Sequence, residues 1–303
     1  MKILVLGGNG FIGSSIVAKL QAQGAQVLVA SRKSVYLTIK MQQMLHVEDW
    51  LPLINSVDVV VNSVGILRER KNESYQAVHN IAVASLAAAC AKLELKLIHL
   101  SAIGLSASAK SEFIRSKFAG EQAIIESGAQ AYIVRASLLD GEGGYGAKWF
   151  RRVATWPLQL VMQSDGQNKG QVAPLQVSDL GEAVANLCLQ QTDYLQGKRP
   201  QIIELGGNEV LTIAQYLAKL RAVKQLKPAL QLAMPKLMVR VASHIFDVFA
   251  LTPLSFGHFE LMQGYNVPAV NMLPILLGRK PAELGETIET RQIAIDDLMA
   301  IKY

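Results

Sequence analysis

An α/β fold built on a doubly wound parallel sheet, with a small, mainly helical lobe at its C-terminal end, is predicted by three features of this 303-residue chain. Short, nearly continuous apolar runs alternate with Ala- and Leu-rich amphipathic stretches through the first two thirds, as a helix-covered parallel sheet requires. A glycine-rich turn separates the first run from the first amphipathic stretch. Beyond about Gly206 helical patterning continues alone, punctuated by Pro228, Pro235, Pro253, Pro268 and Pro274.

The first strand spans Ile3 to Leu6 in "MKILVLGG". Its apolar run stops at a glycine turn, far short of the core of a signal peptide. A helix from Gly10 to Gln23 follows, then a strand from Gln26 to Ala30 and another from Val57 to Asn62. The Ala-rich stretch Ser74 to Leu93 predicts a helix, Leu95 to Leu100 a strand, and Phe113 to Ser127 a helix. Ala131 to Arg135 and Ile202 to Leu205 complete the strands, with a helix from Val177 to Gln191 between them. Each strand is almost wholly apolar, as expected where both sheet faces are covered.

Composition narrows the functional classes. Half the residues are hydrophobic and 18% are charged, enough apolar material for a large core. The net charge is +6, but the cations are scattered and aromatics make up only 6%, which argues against a nucleic-acid surface. No apolar run reaches the length of a membrane span. Cys90 and Cys188 lie far apart in helix-like surroundings, so they predict neither a disulfide nor a metal site, and the expected location is cytoplasmic.

"LVLGGNGFIGSSIVAKL" sets Gly7, Gly10 and Gly13 between a strand and a helix, the context that gives a glycine triplet its chemistry. Gly7 permits the turn, Gly10 lets backbone N–H groups approach a pyrophosphate, and Gly13 lets the helix lie close to the sheet. The anion then rests on the helix N-terminus. The fold is therefore expected to be Rossmann-type and to bind a dinucleotide. At the end of the next strand, where an acid would mark NAD specificity, stand Ser31, Arg32 and Lys33. A hydroxyl and two cations suit a 2′-phosphate, which favours NADP(H) over NAD(H).

With that fingerprint, the chain resembles the atypical, extended branch of the short-chain dehydrogenase/reductase superfamily. The resemblance runs through "VDVVVNSVGIL", "HLSAIG", "FIRSKFAGEQAI", "YIVRASLLDG", "VAPLQVSDLGEAV" and "IIELGGNEVLT". Within that branch it is similar to the epimerase/dehydratase-like group that includes the nucleotide-binding accessory subunit of respiratory complex I. The resemblance implies a nucleotide-binding domain over residues 1–205, with a substrate-loop insertion at about 138–178, and a substrate or partner lobe over 206–303. It also implies that Gly7, Gly10, Phe11, Ile12 and Gly13 cover the pyrophosphate. Asn62, Ser63, Val64 and Gly65 would border the adenosine side, and Ser101 would face the nicotinamide. Lys117 occupies the lysine of the Tyr-x-x-x-Lys motif and would hold the nicotinamide ribose. Phe113 stands at the tyrosine position, one helical turn earlier on the same face. Arg135-Ala136 replaces a common Arg-Pro and would alter the loop above the nicotinamide.

Phe113 cannot transfer a proton, and losing such a group typically costs about 100-fold to 10,000-fold in rate. Tyr75, His79, His99 and Tyr145 are the titratable substitutes near the cleft, and Ser111 and Glu112 immediately precede Phe113. Two readings follow. One is a nucleotide-bound structural, assembly or sensing protein. The other is an NADP-dependent oxidoreductase or isomerase with a relocated donor, acting on an apolar carbonyl compound. In the lobe, Lys219, Arg221, Lys224, Lys227, Lys236 and Arg240 interleave with Leu217, Leu220, Leu226, Leu237, Met238 and Val239. That pattern suits either a helix closing the lobe or a peripheral contact with a membrane or membrane protein at its inner face.

Overall fold

The computed structural model describes residues 1–32, 37–162, 170–189, 200–234 and 256–285. Its centre is a seven-stranded, all-parallel sheet in the order β11-β6-β5-β4-β1-β2-β3. The strands are β1 (Lys2–Leu6), β2 (Gln26–Ser31), β3 (Leu37–Thr38), β4 (Val59–Asn62), β5 (Lys96–Ala102), β6 (Ala131–Ala136) and β11 (Gln201–Leu205). The order reverses between β1 and β4, which places a crevice at their C-terminal ends.

Apolar residues alternate between the two faces of the sheet. Ile3 and Val5 of β1 pack with Ile16 and Leu20 of α1 (Phe11–Ala22) and with Leu180 and Val184 of α6 (Val177–Leu189). Leu4 and Leu6 face the opposite layer, among Trp50 of α2 (Val47–Ile54), Leu86 of α3 (Ala82–Lys92) and Ile124 of α4 (Glu112–Ser127). Trp50 is wholly buried, and its indole N–H donates to Ser85 Oγ at 2.9 Å, so the burial leaves no unsatisfied donor. Cys90 and Cys188 are buried free thiols, each pushed up to about 12 by desolvation.

Ser74 to Leu93, expected as one helix, begins instead with a π-helical turn, Gln76–Ile81, before α3. The wider turn carries His79, and α4 crosses it at close range. A methyl group on Gly120 of α4 would lie 2.0 Å from the His79 carbonyl oxygen. Such insertions recur at functional sites.

The C-terminal lobe contains short strands as well as helices, contrary to the helix-only pattern expected after Gly206. Its elements are β12 (Leu211–Thr212), α7 (Ile213–Val223), β13 (Leu230–Met234), α8 (Phe256–Gln263), β14 (Tyr265–Asn266) and α9 (Leu273–Leu277). The 138–178 insertion supplies β7 (Leu139–Asp140), α5 (Tyr145–Val153), β8 (Leu158–Met162), β9 (Gln171–Val172) and β10 (Leu175–Gln176). β8 pairs with β13, and β9 lies between β12 and β14, so the insertion and the lobe interlock. Leu217 and Leu220 face inward, which makes α7 a lobe-closing helix. Arg221 is buried and donates to the carbonyls of Ala154, Trp156 and Lys227, while Lys219 pairs with Glu209. Neither cation belongs to an open basic face, and Lys236, Leu237, Met238, Val239 and Arg240 lie outside the described residues. Among the described residues, no helix is long and apolar enough to cross a membrane.

Gly120→Ala tests the close crossing of α4. The methyl group meets backbone rather than a flexible side chain, so a loss of about 1–3 kcal/mol is expected in urea unfolding. A variant as stable as the parent would show that the two helices separate freely.

Candidate functional site

The N-terminus of α1 opens into the crevice at the sheet's switch point. Gly7 has φ +78°, and its N–H donates to the Ala30 carbonyl at 2.8 Å, which fixes the turn between β1 and α1. A side chain on Gly13 would place its Cβ 2.2 Å from the Gly7 oxygen. Glycine at both positions therefore lets the helix begin directly behind the turn. Gly10 is the N-cap and has no capping side chain, leaving the first-turn N–H groups available to an anion. Ile12 packs into the core. The Phe11 ring lies beneath the glycine-rich loop that follows Asp140, where a Cβ on Gly144 would come within 2.7 Å of it. Phe11 and Ile12 can thus offer backbone, not side chains, to a pyrophosphate.

A cavity of about 550 Å³ runs from this turn, lined by Gly7, Gly10, Ser31, Arg32, Ser63, Val64 and Gly65. A second, of about 700 Å³, continues outward past Arg68 to Tyr145. Arg32, Gly65, Ile66, Arg70 and Glu73 line both. Each volume is in the range of small-molecule sites. Asn9, Ile39, Met41, Ile66, Arg70 and Glu73 were not expected in the wall. Lys33 lies outside the described residues.

Arg32 is not free to meet an anion without a competitor. Its Nη1 donates to both Glu73 oxygens, at 3.0 and 3.1 Å. The acid missing from the end of β2 is supplied from 41 positions along the chain. Asn62 stands behind the cavity, fully buried. Its side chain accepts from the Val64 N–H and donates to His99 Nδ1.

Beyond Gly65 lie the residues of the second half-site. A Cβ on Gly65 would be 3.7 Å from His79 Nε2 and 3.9 Å from Lys117 Nζ. Lys117 makes no hydrogen bond or ion pair with a described residue; burial lowers its pKa, and Glu121 partly offsets this. Glu121 is itself buried and taken by Arg135, so Arg135 braces α4. Ser101 Oγ is buried with no partner. Ser101 Oγ is thus left unsatisfied by the protein, and the half-buried Lys117 has no bonding partner among the described residues. Buried polar groups are normally paired, so this half-site fits a ligand that bears oxygen acceptors.

Most of the titratable neighbours are already engaged. His79 Nε2 accepts the Ile66 N–H at 3.0 Å, which leaves the proton on Nδ1, facing Ser116 Oγ at 3.3 Å. Tyr75 donates to the Leu67 carbonyl, and Tyr145 stands at the outer cavity near Arg32. Glu112 is drawn to Gln76 and Arg115. Phe113 is 5% exposed and ringed by Tyr75, His79 and His258, the last at 4.9 Å between centroids.

His258 is a further residue that the sequence does not reveal. It arrives from α8, whose Glu260 accepts the N–H groups of Lys110 and Ser111 at 2.8 Å each and so clamps the lobe over the start of α4. Burial, then Arg68 and Lys117, push His258 down to about 4, and burial and Lys117 push His99 down to about 3. His79 also falls well below its ordinary value, through burial and the nearby Lys117 and His99.

The three imidazoles make stability depend on pH. Below about pH 6.5 the unfolded chain takes up protons that the folded chain refuses until about pH 4 or lower. Stability should therefore be full above about pH 6.5 and fall on acidification, by up to about 1.4 kcal/mol per pH unit for each imidazole. Urea unfolding at about pH 7 and pH 5.5 would measure this. His99→Gln should reduce the loss by one imidazole's share, and an unchanged loss would contradict its neutral burial.

Comparisons with known proteins agree with this architecture. A family model described as the RmlD substrate binding domain matches residues 1–103. The Dictyostelium discoideum protein "NADH dehydrogenase [ubiquinone] 1 alpha subcomplex subunit 9, mitochondrial" is 29% identical over 227 residues, covering 70% of this chain and 61% of that protein. The Neurospora crassa "NADH-ubiquinone oxidoreductase 40 kDa subunit, mitochondrial" is 25% identical over 70% of this chain and 57% of its own length. The chain thus spans less than two thirds of these relatives. In fold, it matches a dTDP-4-dehydrorhamnose reductase from Clostridium acetobutylicum with a TM-score of 0.66 at 17% identity, over 99% of this chain and all of that one. A human epimerase family protein with NADPH matches with a TM-score of 0.63 at 18% identity, over 94% of this chain and 97% of that one. The chain thus carries an RmlD-like NAD(P)-binding domain, is homologous to the alpha subcomplex subunit 9, and shares its fold with structural neighbours among reductases and epimerases.

Proposed function

We propose that this protein holds NADP(H) without turning it over, as a nucleotide-bound structural, assembly or sensing component. The observation that carries the reading is the division of the site. The glycine turn, Ser101 and Lys117 leave donors open to a dinucleotide, while Phe113 stands where the family's proton donor would be. Every imidazole around Phe113 is held neutral at pH 7, so none is poised as a general acid. Arg32 at the end of β2 supports a preference for the 2′-phosphate. A dinucleotide would lie with its pyrophosphate at Gly10 and its nicotinamide toward Ser101, and it would supply hydride chemistry only where a proton donor is also present.

The other reading is an NADP-dependent oxidoreductase or isomerase with a relocated donor, acting on an apolar carbonyl compound. His258 favours it, since an imidazole from the lobe lies on Phe113. Bound substrate could draw that ring out of its neutral burial. Phe113→Tyr separates the readings, because it restores a hydroxyl one turn from Lys117. NADPH should bind to the parent protein with negligible reduction of carbonyl substrates, and Phe113→Tyr should raise hydride transfer by about tenfold or more. Robust turnover by the parent, abolished by His258→Ala, would overturn the non-catalytic reading.

The lobe also supports the reading of a partner at a membrane surface. β8 and β13 present Leu158 opposite Leu230 and Leu160 opposite Leu232, all four exposed, with exposed Trp156 beside them. Residues 145–162 and 213–234 contain no Asp or Glu, and Lys148, Arg152, Lys224 and Lys227 are exposed. Apolar and cationic groups together suit a peripheral contact with a membrane or membrane protein, and buried free thiols suit a cytoplasmic location or another reducing compartment. Sedimentation with anionic liposomes should be salt-sensitive and should fail for Leu160→Glu. Equal pelleting of parent and variant would exclude the leucine face.

A further inference from the structure

We propose that Glu73 sets the nucleotide preference of the cleft by competing with the 2′-phosphate for Arg32. The inference rests on the dinucleotide reading above and adds a residue to it. Glu73 is 8% exposed, whereas the Arg32 side chain is 55% exposed. The two differ in freedom as well as in burial. Glu73 is fixed by reciprocal backbone hydrogen bonds with Arg70, at 2.9 Å each way, while Arg32 reaches it from the end of β2 through a flexible side chain. Both residues line the cavity that Gly7, Gly10 and Ser31 also line.

The pairing geometry leaves each partner some capacity. Only Nη1 of Arg32 contacts the carboxylate, so Nε and Nη2 have no partner among the described residues. A phosphate can take those donors as a two-point contact. It would then sit beside the fixed Glu73 carboxylate, and like charges at short range oppose binding. A ribose hydroxyl meets no such opposition, because it can donate to a carboxylate oxygen while Arg32 stays paired. Arg32 therefore favours NADPH and Glu73 favours NADH. Their ion pair couples the two preferences, and recognition of the 2′-phosphate is an exchange of anions on one guanidinium.

Titration of NADPH and NADH against the parent, Glu73→Gln, Arg32→Gln and the double variant tests this, with folding checked by thermal unfolding. Glu73→Gln should raise the ratio of NADPH to NADH affinity by about tenfold or more, mainly through tighter NADPH binding. Arg32→Gln, on a half-exposed side chain, should lower the ratio below that of the parent. In the double variant the Glu73→Gln effect should shrink, since the coupling has been removed. A ratio in Glu73→Gln within about twofold of the parent would overturn the proposal, as would an Arg32→Gln protein that keeps its preference. Gly10→Val is the control for the dinucleotide site. If it binds as the parent does, or if the parent binds neither nucleotide, the dinucleotide reading falls and this proposal with it. If Gly10→Val loses both nucleotides while the Glu73 and Arg32 variants keep the parent's ratio, only this proposal falls.

Discussion

The contact between the Gly7 carbonyl and the Cα of Gly13 is the constraint on which the rest of the site depends. With a Cβ at Gly13 placed 2.2 Å from that oxygen, α1 could not begin where it does. Its first turn would withdraw from the switch point between β1 and β4, and its free N–H groups would no longer face the crevice. The same approach seats the Phe11 ring under the glycines after Asp140, so the nucleotide turn also supports the insertion that interlocks with the lobe. One backbone contact therefore positions both the anion site and the cover above it.

The second half-site is governed by desolvation. Around Lys117 the protein buries three imidazoles and keeps each neutral through burial and the nearby ammonium. A cation in that setting is costly unless a partner arrives. Glu121 could have been that partner, but Arg135 takes its carboxylate. Lys117 and Ser101 are left as donors with nothing of the protein's own to hold. That arrangement suits a ligand rich in oxygen acceptors.

Much of the fold was legible because the sheet is parallel and buried on both faces. Runs such as Ile3 to Leu6 and Val59 to Val61 have no polar residue to confuse them, and the spacing of Gly7, Gly10 and Gly13 marks the turn between β1 and α1. What escaped reading lacks local signal. Helix α2 is short and contains Pro52, β12 and β14 are two residues each, and the outward leucines of β13 resemble a loop. The π turn leaves no mark in an Ala-rich stretch. Glu73 and His258 were invisible for a different reason. Their roles come from long-range packing, Glu73 against a strand end 41 positions earlier and His258 against a helix reached through the whole insertion. Asn62, legible as a site residue, proved to support Val64 and His99 from behind the wall.

The two half-sites are built on different parts of the chain, and this lets binding and chemistry separate. The cradle comes from β1, α1 and the end of β2, all anchored in the central core. Phe113 belongs to α4, under the clamp of α8, and is packed among aromatic rings. A phenylalanine there places no polar atom in the buried cluster, and it lies apart from the first-turn N–H groups of α1 that face the crevice. Under the proposed reading a bound nucleotide would serve as a structural part, between the sheet and the 65–73 segment, whose charged residues line the crevice.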